Sequence, residues 1–422
     1  MDEKAMIHDW NVAGPVTSVV HGPVELDDET LRDGLQSPSI RDPSLDEKIE
    51  LLHLMDTLGI TTADVGLPGA GPRAVESVDI LVREIKTAGL RIQANCAART
   101  KREDIEPIVE ISQKHGMPIE AYLFLGCSPI RQYVERWDLK KLLAISSGGI
   151  EFAVAQGLPV AFVTEDTTRS DPETLRPLFL NAIEKGVRRL ALCDTVGHVS
   201  PAGVINLVRF VQGVIKESGE DVALDWHGHQ DRGLSLINAL TAIAEGVTRI
   251  HATALGVGER VGNTSMDQLL VNLKLLGVID NDLTRLREYV ELTERALCAP
   301  RPRNYPMFGE DAFRTATGVH AAAIIKAQEH GDDWLVDRVY SGVPAGWLGL
   351  TQHIQVGPMS GACNARYWLE HNGYKDDPKL VDVLLGAAKQ ADHVLSDDEI
   401  TAILTGATAG TGVESRSVEP TR

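Results

Sequence analysis

Cysteine is scarce in this chain of 422 residues, with 5 in all, at Cys96, Cys127, Cys193, Cys298 and Cys363. The number is odd and no CxxC pair occurs, which excludes a disulfide framework and a zinc finger. Basic residues are outnumbered, 41 Lys+Arg against 60 Asp+Glu, for a formal net charge of −19. Nucleic acid and anionic membranes attract Lys/Arg-rich faces, so neither is the expected partner. No stretch approaches the roughly 18 continuous apolar residues of a membrane span. The opening Met1-Asp2-Glu3-Lys4 lacks the basic and apolar regions of a secretory signal. Aromatic residues make up only 5%, but 43% of the chain is hydrophobic and 24% charged. At this length that composition gives a globular protein with a large core and more than one domain. The expectation is a cytoplasmic protein.

From residue 24 onward, short β-like runs alternate with helical stretches. The runs are Val24–Thr30, Thr61–Pro68, Arg91–Ala97, Ile119–Leu125, Pro159–Glu165, Arg188–Asp194, Val222–His229 and Arg249–Gly256. Helix signals follow them. Ser44-Leu45-Asp46-Glu47 reads as a capping box and Gly59 as the stop. Asp171-Pro172 and Ser200-Pro201 each put a capping residue before a proline suited to the first helical position. One β/α unit per roughly 30 residues, eight times over, predicts an α/β fold, a (β/α)8 TIM barrel over residues 24–295. An open doubly wound sheet fits less well, because no glycine-rich phosphate loop follows the first run. Residues 1–23 read as an N-terminal extension. Pro300, Pro302 and Pro306 mark a linker, and residues 296–405 read as a mostly helical C-terminal extension, with helices at Asp311–His330, Lys379–Gln390 and Asp397–Leu404. The Gly/Ala/Thr/Ser-rich stretch 406–422 is expected to be disordered.

Barrel active sites sit where the strands end. Those ends carry Arg32 and Asp33, then Glu165, then Asp194 and Thr195, then His227 and His229, then a glycine-rich loop from Gly256 to Asn263. Alternate residues of a strand share a face, so His227 and His229 both point toward the barrel axis. Two histidines with Asp33 across the mouth suit a divalent metal with open positions. The plainer reading is a pair of hydrogen-bonded rim histidines. Arg32 reads either as a salt-bridge partner or as a cation beside a carbonyl. Glu165 and Asp194, each taken alone, read first as solvated or helix-capping acids. The glycine loop alone is a weak sign of close approach by a phosphate or cofactor.

Together these strings resemble the metal-dependent DRE-TIM metallolyase superfamily, and within it the 2-isopropylmalate, homocitrate and citramalate synthases. The resemblance rests on Glu29-Thr30-Leu31-Arg32-Asp33-Gly34-Leu35-Gln36, on His227-Gly228-His229, and on Gly256 to Asn263. It continues in Gly309-Glu310-Asp311-Ala312-Phe313, Thr317-Gly318-Val319-His320, Tyr340 to Pro344 and Gly357 to Gly361, and so covers residues 24–372. It implies Asp33, His227, His229 and Asn263 at a divalent metal (Mg, Mn, Zn or Co), and Arg32 polarising the ketone of a 2-oxo acid. It further implies Thr195 on the substrate carboxylate, Tyr122 near the variable substrate arm, and Glu165 in acetyl-CoA activation. His320, as general base, and Tyr340 would come from the partner subunit of an obligate homodimer. The implied reaction is a Claisen-type condensation of acetyl-CoA with a 2-oxo acid, an acyl transfer yielding a 2-substituted malate and CoA. Leucine biosynthesis, lysine-type chain elongation and secondary metabolism are the pathways it leaves open.

This chain departs from the family pattern in three places. Gln230 stands where an Asn is usual after the second histidine, a position expected to support the ligands. Ala321-Ala322-Ala323 follow His320 where Gln-Asp-Gly is common. Tyr122 stands where homocitrate synthases have Arg, which favours an apolar or hydroxyl-bearing arm over a distal carboxylate. The chain also ends before the position of the regulatory domain of full-length isopropylmalate synthases, so leucine feedback is not expected. A lyase of the 3-hydroxy-3-methylglutaryl-CoA type shares the Arg-Asp-Gly-Leu-Gln string, but such lyases use a cysteine after the eighth strand, and none lies between Cys193 and Cys298. A barrel without catalysis would be expected to lack some of these residues.

Overall fold

The computed structural model describes residues 6–11 and 23–409. It divides into two compact units, one up to Pro300 and one from Arg301. In the first, eight parallel strands close in chain order into a barrel: β1 (Glu25–Asp28), β2 (Thr62–Asp64), β3 (Gln93–Arg99), β4 (Glu120–Gly126), β5 (Val160–Glu165), β6 (Arg189–Asp194), β7 (Ala223–Gly228) and β8 (Arg249–Ala252). β8 closes on β1 with Glu25 opposite Arg249 and Asp28 opposite Ala252. A strand falls at every expected run, most of them shorter than expected, while β3 and β4 start later and run on past the expected ends, to Arg99 and Gly126. The chain is therefore a (β/α)8 barrel with a mostly helical C-terminal region.

The strands are buried on both faces, as parallel strands under helices must be. Their outward residues, such as Leu26, Phe162, Leu190, Leu192, Trp226 and Ile250, are fully or almost fully buried. On the surrounding helices, residues such as Leu51, Leu81, Ile108, Leu178 and Val208 are fully buried as well. The inward residues differ from the branched aliphatic layers usual in such barrels. Asn95 donates to Asp27 (2.5 Å), Tyr122 donates to Asp225 (2.8 Å), and Arg249 reaches Glu120 (2.6 Å) across the barrel. Burial of these groups is tolerable because they pair with one another.

Local signals mostly act as expected. Ser44 and Glu47 form the capping box of the helix Leu45–Thr57, and Gly59 takes the left-handed conformation (φ 76°) that ends it. Asp171 caps the helix Pro172–Glu184 by accepting from the Thr174 N–H at 2.8 Å. Ser200 precedes the helix Pro201–Ser218 but its side chain makes no capping bond.

The second unit holds a two-stranded sheet and a helical core of Val356, Trp368, Leu369, Leu384 and Leu404. The helix expected at Asp311–His330 begins only at Gly318 and runs to Glu329. Arg314–Thr315 instead pairs in parallel with His353–Ile354, a non-local contact that overrides the local pattern. The helix expected at Asp397–Leu404 runs on through Ala409, so residues 406–409 are helical. Residues 410–422 and most of 1–23 lie outside the described residues.

Candidate active site

The turn after β1 builds the first part of the site. The Thr30 N–H donates to Asp28 Oδ1 (2.9 Å), the Gly34 N–H returns to the Glu29 carbonyl (3.0 Å), and the Thr30 hydroxyl accepts from the Ala254 N–H (2.8 Å). This tight turn presents Glu29, Arg32 and Asp33 to the cavity. The Arg32 guanidinium donates to three carboxylates: Asp64 (2.6 Å), Asp33 (2.6 Å) and Glu29 (2.7 Å). A guanidinium carries five N–H groups, so two remain for a substrate.

The loops after β7 and β8 are knitted together. His229 faces Asn263 in an isolated bridge, the Gln230 N–H bonds the Gly262 carbonyl (2.9 Å), and the Thr264 N–H bonds Gly228 (3.1 Å). The glycines of the second loop make room for Asn263. A Cβ on Gly258 would lie 2.1 Å from Asn263 Oδ1, and one on Gly262 would lie 2.0 Å from the Gly256 carbonyl. That internal packing explains the glycines without a phosphate or cofactor. The Asn263 amide nitrogen donates to Asp33 Oδ2 at 2.5 Å, so Asn263 reaches the site by holding Asp33.

His227 Nε2 and His229 Nε2 face each other at 3.1 Å, and lie 4.0 and 3.9 Å from Asp33 Oδ2. The Glu29 carboxylate lies 2.7 Å from His227 Nδ1 and can only accept, so it holds the proton there and turns Nε2 inward. The two facing ring nitrogens share at most one proton, and Glu29 and Asp33 raise the His227 pKa against burial, so a divalent cation would take that proton's place between them. Burial, reinforced by His227, lowers the His229 pKa to about 4, so that ring is neutral. Burial works against Asp33, but Arg32 and His227 outweigh it and hold the carboxyl below its ordinary range. A neutral imidazole and an ionised carboxylate are the forms a divalent cation needs. Asp33, His227 and His229 therefore fit one.

These groups line a cavity of about 270 Å³. One wall is apolar, made by Leu67, Ala97, Phe124, Val163 and the Tyr122 ring. The Tyr122 hydroxyl is not free for substrate, since it donates to Asp225 and accepts from Arg249 (2.7 Å). At the rim, Glu165 lies 3.3 Å from Arg131, and burial raises its pKa despite that cation. The Thr195 hydroxyl accepts from the Asp166 N–H (2.8 Å), which leaves its own proton to donate.

Asp194 caps no helix and instead holds the loop after β6, accepting from the Thr168 hydroxyl (2.8 Å) and the His198 N–H (2.8 Å). Gln230 does not support the ligands as expected, because its side-chain oxygen is held by the N–H and hydroxyl of Ser235 at the start of the next helix. His320 and Tyr340 belong to the second unit, where both are exposed and their rings stack at 4.2 Å. Ala321 is buried there with Ile324 and Ile354. Sequence reasoning missed Glu29, Asp64 and His251 as site residues. Glu29 and His251 obey the same i, i+2 alternation that revealed the histidine pair.

A closed barrel with a two-histidine, one-carboxylate group at the C-terminal ends of its strands defines the class, a (β/α)8 barrel with a candidate divalent-metal site at its catalytic rim. The sequence profile of the HMGL-like family matches residues 23–293, and the chain belongs to that family. It is 30% identical to the homocitrate synthase AksA of Methanothermobacter thermautotrophicus, over 83% of this chain and 84% of that protein. It is 28% identical to the 2-isopropylmalate synthase of Sulfolobus acidocaldarius, over 88% of this chain and 92% of that protein. Among solved structures, the HMG-CoA lyase of Bacillus subtilis superposes with a TM-score of 0.55 at 19% identity, covering 67% of this chain and 96% of that one. That likeness concerns the fold alone. Among the described residues, no helix is long and apolar enough to cross a membrane.

Proposed function

We propose that this protein condenses acetyl-CoA with a 2-oxo acid, as a synthase of the 2-isopropylmalate type. The observation that carries the reading is the convergence of Asp33, His227 and His229 beside the two unengaged N–H groups of Arg32. The names of the relatives support it. When bound there, a divalent cation supplies Lewis acidity to a ketone. Arg32 donates to the ketone oxygen as charge builds on it, and Thr195 orients the carboxylate. The acetyl methyl is weakly acidic and needs a positioned base. We assign that role to His320, delivered with Tyr340 by the partner subunit of a homodimer, while Glu165 handles the proton on the thioester side. The acetyl carbon bonds to the ketone carbon. Water then cleaves the thioester, releasing CoA and a 2-substituted malate.

The cavity supports an aliphatic arm. A distal carboxylate would need a cation of its own, and those lining the cavity are committed elsewhere, the two remaining N–H groups of Arg32 being assigned to the ketone. Arg32 binds three carboxylates and His251 lies between two. The opposite wall is apolar, and shape there discriminates by about 1–3 kcal/mol per methylene. The test compares kcat/KM for 2-oxoisovalerate, pyruvate, 2-oxoglutarate and oxaloacetate. A preference of at least about tenfold for 2-oxoisovalerate over both dicarboxylates is expected. A preference for 2-oxoglutarate would make the chain a homocitrate-type synthase and reject the aliphatic arm.

A further inference from the structure

Beneath the candidate metal group, His227 leads into a chain of buried side chains, Glu29, His251 and Asp225, whose last two members have no part in the reaction proposed above. His227 Nδ1 lies 2.7 Å from Glu29 Oε2, Glu29 Oε1 lies 3.1 Å from His251 Nδ1, and His251 Nε2 lies 3.1 Å from Asp225 Oδ2. His227 is 8% exposed, Glu29 and His251 are 2% exposed, and Asp225 is fully buried. Asp225 is anchored in turn by Arg189 (2.5 Å) and the Tyr122 hydroxyl (2.8 Å).

Donor bookkeeping fixes the direction of this chain. Carboxylates only accept, so His227 Nδ1 and both nitrogens of His251 donate. Both oxygens of Glu29 are thereby used. Oε2 takes His227, and Oε1 takes His251 together with Arg32 (2.7 Å). Glu29 sets the tautomer of His227, and His251 is what stops Glu29 from turning toward Arg32 alone. The His251 ring is itself held edge-on against Tyr122, with centroids 5.3 Å apart.

We propose that His251 is a positioning residue for the metal-binding imidazole of His227, acting through Glu29. The proposal rests on reading Asp33, His227 and His229 as metal ligands. Partners of this kind orient ligand and tautomer, and their loss typically weakens metal binding about 10–100-fold.

Two amides separate this role from plain charge balance in the barrel interior. The Asn amide nitrogen falls near the position of histidine Nδ1, and the Gln amide nitrogen near that of Nε2. H251N therefore keeps the donor to Glu29 and gives up Asp225, whereas H251Q does the reverse. Both remove the same charge. The experiment titrates the purified full chain with Co2+, following the visible absorption bands and the heat of binding, with thermal melts alongside. The expected result is Co2+ affinity within about threefold of wild type in H251N and about 10–100-fold weaker in H251Q, with altered bands. E29Q, whose amide would turn a proton onto His227 Nε2, should weaken binding at least as much as H251Q. If H251Q does not fold, the comparison of H251N with E29Q decides.

Equal weakening in H251N and H251Q, or wild-type affinity in both, overturns the positioning role and leaves the metal reading standing. So does an H251N variant as weak as E29Q. Wild-type protein that binds no Co2+ overturns the metal reading itself, and the positioning role with it.

Discussion

Arg32→Lys keeps the charge but loses the fork. In the structure, Nε and both terminal nitrogens of Arg32 each hold a different carboxylate, Asp64, Asp33 and Glu29, at 2.6, 2.6 and 2.7 Å. An ammonium is a single point on a flexible stem and cannot span three acids that were placed around a plane. At least one charge-assisted bond is lost, worth about 1.5–3 kcal/mol. Asp64 is the acid able to absorb the loss, because burial already raises its pKa to about 7 against the pull of Arg32. It takes up a proton at little cost near neutral pH. The expected loss of stability is therefore near the lower end, about 2 kcal/mol, or roughly 3 °C in Tm for a unit of this size. Catalysis should suffer more. The two N–H groups proposed for the ketone oxygen are lost with the guanidinium plane, and removing such a donor typically costs about 10²–10³ in kcat. The assays are thermal melting and initial-rate CoA release. A lysine variant within about twofold of wild type in turnover and unchanged in Tm would refute the reasoning.

Asp33→Asn and His227→Ala should each abolish binding of a divalent cation, read by calorimetry, while circular dichroism shows an intact barrel; either variant with wild-type affinity removes that residue from the ligand set. Glu165 has a pKa raised by burial, so it is protonated at a higher pH than an ordinary glutamate. If it accepts a proton, kcat/KM rises with pH through an acid limb above the usual carboxylate range, and Glu165→Gln removes that limb. Tyr122→Phe leaves the ring on the apolar wall but strips the hydroxyl from Asp225 and Arg249. It should cost about 1–3 kcal/mol in denaturant unfolding, with 2-oxo acid preference changed less than about threefold. His320→Ala should lose turnover by about 10² or more in a rate assay while calorimetry still detects 2-oxo acid binding.

The barrel was legible because the β/α alternation, the capping box at Ser44 and the Asp171 cap are local signals. The pairing of His227 with His229 was legible for the same reason, since strand alternation is a property of neighbours. The charged interior was not. Glu25 and Asp27 on β1 and Glu29 just beyond it alternate, as do Arg249 and His251 on β8, but which of them meet depends on register and on strands across the barrel. The usual aliphatic filling of such barrels argues against expecting them there. The start of the helix at Gly318 was hidden by a pairing with His353, 39 positions beyond Arg314. The direction of the Gln230 side chain was not legible, because sequence gives its position after His229, while the side chain turns to the next helix.

The most direct test of the central claim is CoA release from acetyl-CoA and 2-oxoisovalerate, with a divalent cation and again with EDTA. Release that requires both the 2-oxo acid and the cation is the predicted result. Release that is indifferent to EDTA, or no release with any 2-oxo acid while the cation is bound, would contradict it.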